Sequence, residues 1–425
     1  MNEDFLHYLW KYRLFNKLLQ TTEGETIEIL SPGIHNHHAG PDFSDARLRI
    51  GQAMWAGNVE IHVNTSDWLK HGHQHDPAYD NVVLHVVYHH DLPGFESRIP
   101  VLQLRGFFDE NLFFKYHRFI ETRLWVPCAA QINTVPETDK ALWLERMLIE
   151  RLERKADLIH VFLETGKNNW EEALYVTLAR SFGFNVNALP FEMLARSLPY
   201  KVIARHTGNP FQTEALILGQ SGLLTSEVSD PTAQALLAEY EFLRKKYQLI
   251  PIAAHLWKFL RLRPVNFPTI RLSQFAALLG KHSQLLSKIT SCKTIEELEN
   301  LFAGVETSEY WRNHYNFDSK TVKKSKRLGR DAIHLILINA ILPFIFVYGR
   351  AIDNDELCNR ALDLYTKLPG EKNSITQNWE KTGMDTGNAF NTQALIGLKT
   401  SYCDKKRCLN CRIGNYLLRN GMENE

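Results

Sequence analysis

The sequence predicts an α/β (α+β) N-terminal domain on a mixed sheet, followed by a mainly α-helical C-terminal region. Three observations lead there. Ala46, Leu48 and Ile50 alternate with Arg47 and Arg49, and the alternation resumes over Val59–Val63, the period of half-buried strands. The run VVLHVVY within Asn81–Tyr88 is apolar enough for a central strand covered on both faces. Past Pro136 the apolar spacing changes to 3.6, through Leu142, Leu144, Met147, Leu148, Leu152 and Ile159.

Taken in order, the elements begin with a helix over Asp4–Leu19, with Phe5, Leu9, Trp10 and Leu14 near one face. A strand near Thr26–Leu30 ends at Pro32 and Gly33. A hairpin broken at Gly51-Gln52 places Val59, Ile61 and Val63 on one face and Asn58, Glu60 and His62 on the other. A loop over Ser66–Asp80 leads to the central strand, and Arg98–Leu104 continues the sheet. Helices are expected over Trp170–Phe182, closed by Gly183, and over Asn187–Leu198, Pro231–Tyr247 and Leu272–Leu279. A basic, loop-rich stretch, Tyr310–Arg330, precedes a buried helix over Ala332–Val347 kinked at Pro343. Boundaries near 131 and 306 give domains 1–130, 131–305 and 306–425, the last ending in a cysteine cluster.

With 425 residues, 44% hydrophobic and 23% charged, the chain has ample material for globular cores. A formal net charge of +1 means that an anion site must be a local basic groove. The N-terminal stretch lacks the basic start and apolar run of a signal peptide, and Ala332–Val347 falls short of a membrane span. A cytoplasmic protein with no membrane partner is expected. Cys128, Cys292 and Cys358 are scattered, which suits reduced thiols better than a disulfide framework.

Ten of the 18 histidines lie between positions 35 and 90: His35, His37, His38, His62, His71, His73, His75, His85, His89 and His90. Neutral imidazole is the commonest metal ligand and the usual acid/base near pH 7, so this crowding is the strongest compositional sign of a site. Against it stands the reading of Asn58, Glu60 and His62 as the solvated face of an amphipathic hairpin.

Pro41-Asp42 followed by Glu60-Ile61-His62 resembles the PD-(D/E)XK superfamily of restriction-endonuclease-like nucleases. The resemblance implies a restriction-endonuclease-like sheet and Mg²⁺ or Mn²⁺ held by Asp42 and Glu60, with the ion activating water for attack on a phosphodiester. His62 stands where that family has a lysine, and would act as base or water-orienting group. Strand parity complicates the aspartate. In a regular strand Asp42 shares a face with Ala46, and a four-residue loop over Gly51–Met54 sets Glu60 opposite Asp45. Asp42 regains the position if the backbone bulges or the strand starts after Phe43.

Three further constellations carry chemistry. His71-Gly-His73-Gln-His75-Asp76 resembles the metal loop of metallo-β-lactamase-like hydrolases, in altered order, and offers a secondary histidine site for zinc. Arg261, Arg263 and Arg271, interleaved with prolines, and the run Lys323–Arg330 with Lys326, Arg327 and Arg330 offer phosphate contacts for DNA or RNA. Cys403, Cys408 and Cys411 supply three soft ligands for zinc or an iron–sulfur cluster, with the fourth from Cys128, Cys358 or a histidine.

The segments HNHHAGPDF, WAGNVEIHV, SDWLKHGHQHDPAYDNVVLHVV, RPVNFPTIRL and CDKKRCLNC resemble those of an uncharacterised family of bacterial cytosolic proteins, a domain of unknown function. That resemblance implies an architecture and no activity. The leading expectation is a metal-dependent nuclease. The alternatives are a non-catalytic nucleic-acid-binding or scaffold protein and a histidine-cluster zinc hydrolase.

Overall fold

The computed structural model describes residues 1–36, 39–92 and 99–420; His37, His38 and Arg98 lie outside them. The chain divides into two compact units, Met1–Trp143 with Lys399–Glu425, and Leu144–Leu398. The expected break near 306 falls inside the second unit, and the cysteine-bearing C-terminal segment joins the first.

The first unit is built on a mixed, nearly closed, barrel-like sheet of β1 (Leu19–Gln20), β2 (Thr26–Ser31), β3 (Ile34–His35), β4 (Phe43–Ile50), β5 (Ala53–Asn64), β6 (Val82–His89) and β7 (Val101–Gln103). The order is β1-β2-β4-β5-β6-β7, with β3 also on β4. Pairing is antiparallel from β1 to β5 and parallel for β5–β6 and β6–β7. Thr22 N–H donates to the Val101 carbonyl at 2.8 Å, linking the two outer strands. Helix α1 (Glu3–Tyr12) lays buried Phe5, Leu6, Leu9 and Trp10 against the sheet. It is shorter than expected because Arg13 turns left-handed at φ 51°, its N–H capping the Leu9 and Trp10 carbonyls, which frees Leu19 to enter β1.

The β4–β5 hairpin has a two-residue turn, Gly51-Gln52, not a four-residue loop: Ile50 faces Ala53 and Ala46 faces Gly57. Between Ala46 and Phe43 the register slips, so that Phe43 pairs with Val59. This is a bulge of one extra residue, and Asp45 within it takes φ 55°, a left-handed conformation that aspartate tolerates better than most residues. Phe43 and Ala46, three apart, are thereby both buried. Gly57 is required at the β5–β6 contact, where a Cβ would meet Val83 Cγ1 at 2.5 Å and the Asn81 carbonyl at 2.6 Å. The crossover from β5 to β6 is α2 (Asp67–Lys70) and two short turns, His73–His75 and Pro77–Tyr79, where a plain loop was expected. Helices α3 (Asn111–Ile120) and α4 (Glu137–Thr165) follow.

The second unit is helical. Helices Trp170–Phe182 and Pro231–Tyr247 have the expected bounds, and Pro268–Lys281 extends the expected Leu272–Leu279 at both ends. The apolar run lies in a continuous helix, Arg330–Ala351, long and apolar enough to cross a membrane by length and composition yet mostly buried in this unit. Pro343 does not break it. Residues Leu337–Ile341 form a π-helical turn just before the proline, which absorbs the backbone hydrogen bond that proline cannot donate.

Candidate metal centre

Residues Val59–His62 of β5 are buried on both faces, with Glu60 5% and His62 2% exposed, so Glu60 and His62 are not a solvated face. The reason is the crossover. Trp68 of α2 is buried, its ring 5.3 Å from His73 and 5.1 Å from His85, and His73 stacks on Tyr79 at 3.8 Å. A segment that leaves β5 at Asn64 thus folds back over its polar face.

The bulge brings Asp42 beside Glu60. Asp42 N–H donates to Glu60 Oε2 at 3.1 Å, and Ile61 N–H donates to Asp42 Oδ2 at 2.9 Å. His7 of α1 approaches the same Asp42 oxygen at 3.2 Å. Asp45 is exposed within the bulge, so the partner of Glu60 is Asp42, and the slip in register is the cause.

On the other side of Glu60 the histidines converge. His62 Nε2 lies 3.2 Å from His71 Nδ1, 3.3 Å from His73 Nε2 and 3.4 Å from Glu60 Oε1, and His73 Nε2 lies 3.3 Å from the same oxygen. His62 Nδ1 meets His85 Nε2 at 2.9 Å, and His85 is fully buried. One imidazole nitrogen carries either one proton or one lone pair, so His62 Nε2 cannot satisfy three partners at once. Among the described residues, His62, His71 and His73 form the group whose ligand atoms lie within 4.8 Å of one another. His75 is exposed and outside it.

Electrostatics follow from the packing. Burial, reinforced by Asp42, pushes the Glu60 carboxyl up to about 8. Burial, with His73 and His71, holds His62 down to about 4, and burial with His62 holds His85 down to about 3. His73 is lowered by burial and His71. Burial thus favours the neutral form of His62, His73 and His85, the form in which imidazole binds metal. Sequence reasoning named His62, His71 and His73 but assigned them to two separate sites; the buried partner His85 was present only in the histidine count.

The cysteines gather elsewhere in this unit. Cys403 closes a π-turn, Cys408 opens a short turn, and Cys411 precedes helix Arg412–Asn420. Cys128 joins them: burial chiefly, and then the neighbouring thiols, push Cys128 and Cys403 up, and burial with Cys411 takes Cys408 to about 12. Cys411, raised by burial to about 11, receives hydrogen bonds from the Ile413 and Gly414 N–H groups. Cys358 belongs to the other unit and Cys128 to this one, and among the described residues the thiols do not form a group with ligand atoms within 4.8 Å of one another.

Three imidazoles and a buried carboxylate converging over a mixed sheet make the first unit a mixed-sheet domain with a candidate histidine metal centre, followed by a mostly helical region. Over residues 3–374 the chain matches the family described as a protein of unknown function (DUF2851), and it belongs to that family. No curated protein and no solved structure matches it.

Proposed function

We propose that the first unit is a metal-dependent hydrolase acting on phosphodiester bonds of nucleic acid, with its ion held by His62, His71 and His73. The observation that carries the metal part of this reading is the crowding of His62 Nε2 by His71 Nδ1 and His73 Nε2 at 3.2 and 3.3 Å. The phosphodiester substrate rests on the resemblance of Asp42 and Glu60 to the nuclease pattern. Zn–N bonds of 2.0–2.1 Å give a tetrahedral N···N edge of about 3.3–3.4 Å, so these nitrogens stand nearly where a shared ion would hold them. Imidazole donors favour Zn²⁺, whereas Mg²⁺ and Mn²⁺ prefer oxygen ligands. His62 is buried, His73 half-buried and His71 exposed, so the cluster reaches solvent on the His71 side, and an ion held there would be open to substrate as a catalytic ion requires.

Within that frame each residue has a role. Glu60 Oε1 sits beside two of these nitrogens. A bound ion would favour its ionised form against the burial that raises its pKa, and that form would accept a proton from water and return it to the leaving oxygen. Asp42 orients Glu60 through its backbone N–H, and His85 fixes the tautomer of His62. The Asp42–Glu60 pair on adjacent strands supports the resemblance to PD-(D/E)XK nucleases, with His62 drawn to the metal in place of a lysine's task. We extend the metal reading to Cys128, Cys403, Cys408 and Cys411, whose sulfur donors suit structural zinc or an iron–sulfur cluster once an ion draws them together.

The test measures metal content and cleavage together in the full chain. The His71→Ala, His73→Ala double variant should lose one equivalent of zinc or manganese relative to wild type, and unchanged content removes the centre. DNA and RNA should be cleaved with Zn²⁺ or Mn²⁺ by wild type and not by Glu60→Gln. Persistent cleavage in Glu60→Gln refutes that role, and binding without cleavage under any of these ions favours the non-catalytic reading.

A further inference from the structure

The two basic motifs meet around a pocket of about 660 Å³ inside the Leu144–Leu398 unit. Phe182, Phe184, Phe191, Leu262 and Leu335 give it an apolar, largely aromatic wall; Arg271, Lys324, Lys326 and Arg327 line it as well. The basic residues of these motifs are not equivalent in the fold. Arg261 and Arg263 are exposed, Arg327 is ion-paired with Glu306, and Arg330 meets Glu299 at 3.1 Å. Arg271 and Lys326 are withdrawn from solvent, at 8% and 3% exposure.

Arg271 is held with unusual care for a cation without a counter-charge. Its Nη1 donates to Gln274 Oε1 at 2.9 Å and its Nη2 to Asn266 Oδ1 at 2.6 Å, both neutral acceptors. Its guanidinium lies 4.6 Å over the Phe184 ring. Phe184 takes φ 47°, a left-handed conformation that bulky residues rarely adopt, to present that ring. The Arg271 Nε–H has no acceptor, and among the described residues no carboxylate pairs with the guanidinium. Lys326 Nζ sits 3.9 Å over Tyr315, and the Lys326 carbonyl accepts from Gln274 Nε2 at 2.8 Å, fastening the basic segment to the Arg271 helix. Asp331, the acid among the lining residues, is exposed. A buried, oriented and unneutralised cation is costly unless an anion completes it.

The geometry points to a binding pocket for a small anion, one bearing a phosphate or carboxylate on an apolar or aromatic body. Arg271 receives the anionic head, and the phenylalanine wall receives the body. The volume is that of a small-molecule site, and withdrawal of Arg271 and Lys326 from the surface is opposite to what tracking an extended phosphate backbone requires. This site is independent of the histidine centre.

Isothermal titration of the full chain with adenosine monophosphate, adenosine, octanoate and inorganic phosphate tests it. Adenosine monophosphate or octanoate should bind wild type, the one that binds naming the head group, and adenosine should not. Binding should weaken tenfold or more in Arg271→Gln, which removes the charge, and in Val265→Trp, which fills the pocket from an exposed lining position and leaves Arg271 in place. If Arg271→Gln does not fold, Val265→Trp decides. Failure of both adenosine monophosphate and octanoate to bind wild type, or binding that persists undiminished in Val265→Trp, overturns the assignment.

Discussion

Substituting Gly57 by alanine probes the scaffold beneath the metal centre without touching a ligand. The new Cβ would stand 2.6 Å from the Asn81 carbonyl and 2.5 Å from Val83 Cγ1. Ordinary carbon contacts lie near 3.5–4.0 Å, so β5 and β6 must part by on the order of 1 Å, and the obstacle is backbone rather than a movable side-chain end. Overpacking of this kind costs about 1–3 kcal/mol. At about 2–4 °C per kcal/mol for a unit of this size, Gly57→Ala should lower Tm by roughly 2–12 °C. The same parting shifts Glu60 and His62 against His85, because Glu60 pairs with His85 in the β5–β6 ladder, so zinc affinity should fall as well. Calorimetry of the metal-free chain and zinc titration of the same sample read the two effects separately. An unchanged Tm would show that the strands yield at no cost and refute the reasoning from close approach.

Three other outcomes are expected. His85→Phe keeps volume but removes the partner of His62 Nδ1, so zinc affinity should drop about 10–100-fold; equal affinity would remove His85 from the centre. Glu214, which accepts from Ser273, Ser308 and Trp311, is raised by burial. A raised acid contributes stability fully present below its unfolded value, about 4.3, and lost as pH rises through its folded value; wild type should therefore lose stability relative to Glu214→Gln as pH increases from acid toward neutral. A difference between the two proteins that stays constant with pH contradicts this. Cys128→Ser should release the same metal as Cys408→Ser, measured by zinc assay and visible absorbance; full retention in Cys128→Ser would detach Cys128 from the quartet.

Local pattern made the strands and most helices legible, because periodicities of 2 and 3.6 are written in neighbouring residues. What escaped was nonlocal. The polar face of β5 left a solvated reading open beside the functional one because its cover, Trp68 to Tyr79, arrives through a crossover whose docking leaves no periodic mark. For the same reason His62 was separated from His71 and His73, although histidine density pointed at them together. The return of Cys403–Cys411 to Cys128 likewise spans most of the chain. The bulge did leave a trace: Phe43 is apolar at an odd offset from Ala46, Leu48 and Ile50, a parity error that a regular strand cannot bury.

That parity error gives Asp45 a meaning apart from its charge. Phe43–Val59 and Ala46–Gly57 are pairs that an uninterrupted ladder satisfies with one residue fewer in β4. Asp45 is thus a spacer the ladder does not need, tolerated at an exposed left-handed position. Its deletion would smooth the strand and leave Asp42 across from Glu60. A β-branched residue in its place would find that backbone conformation closed to it and push the correction along the strand, toward the acid pair.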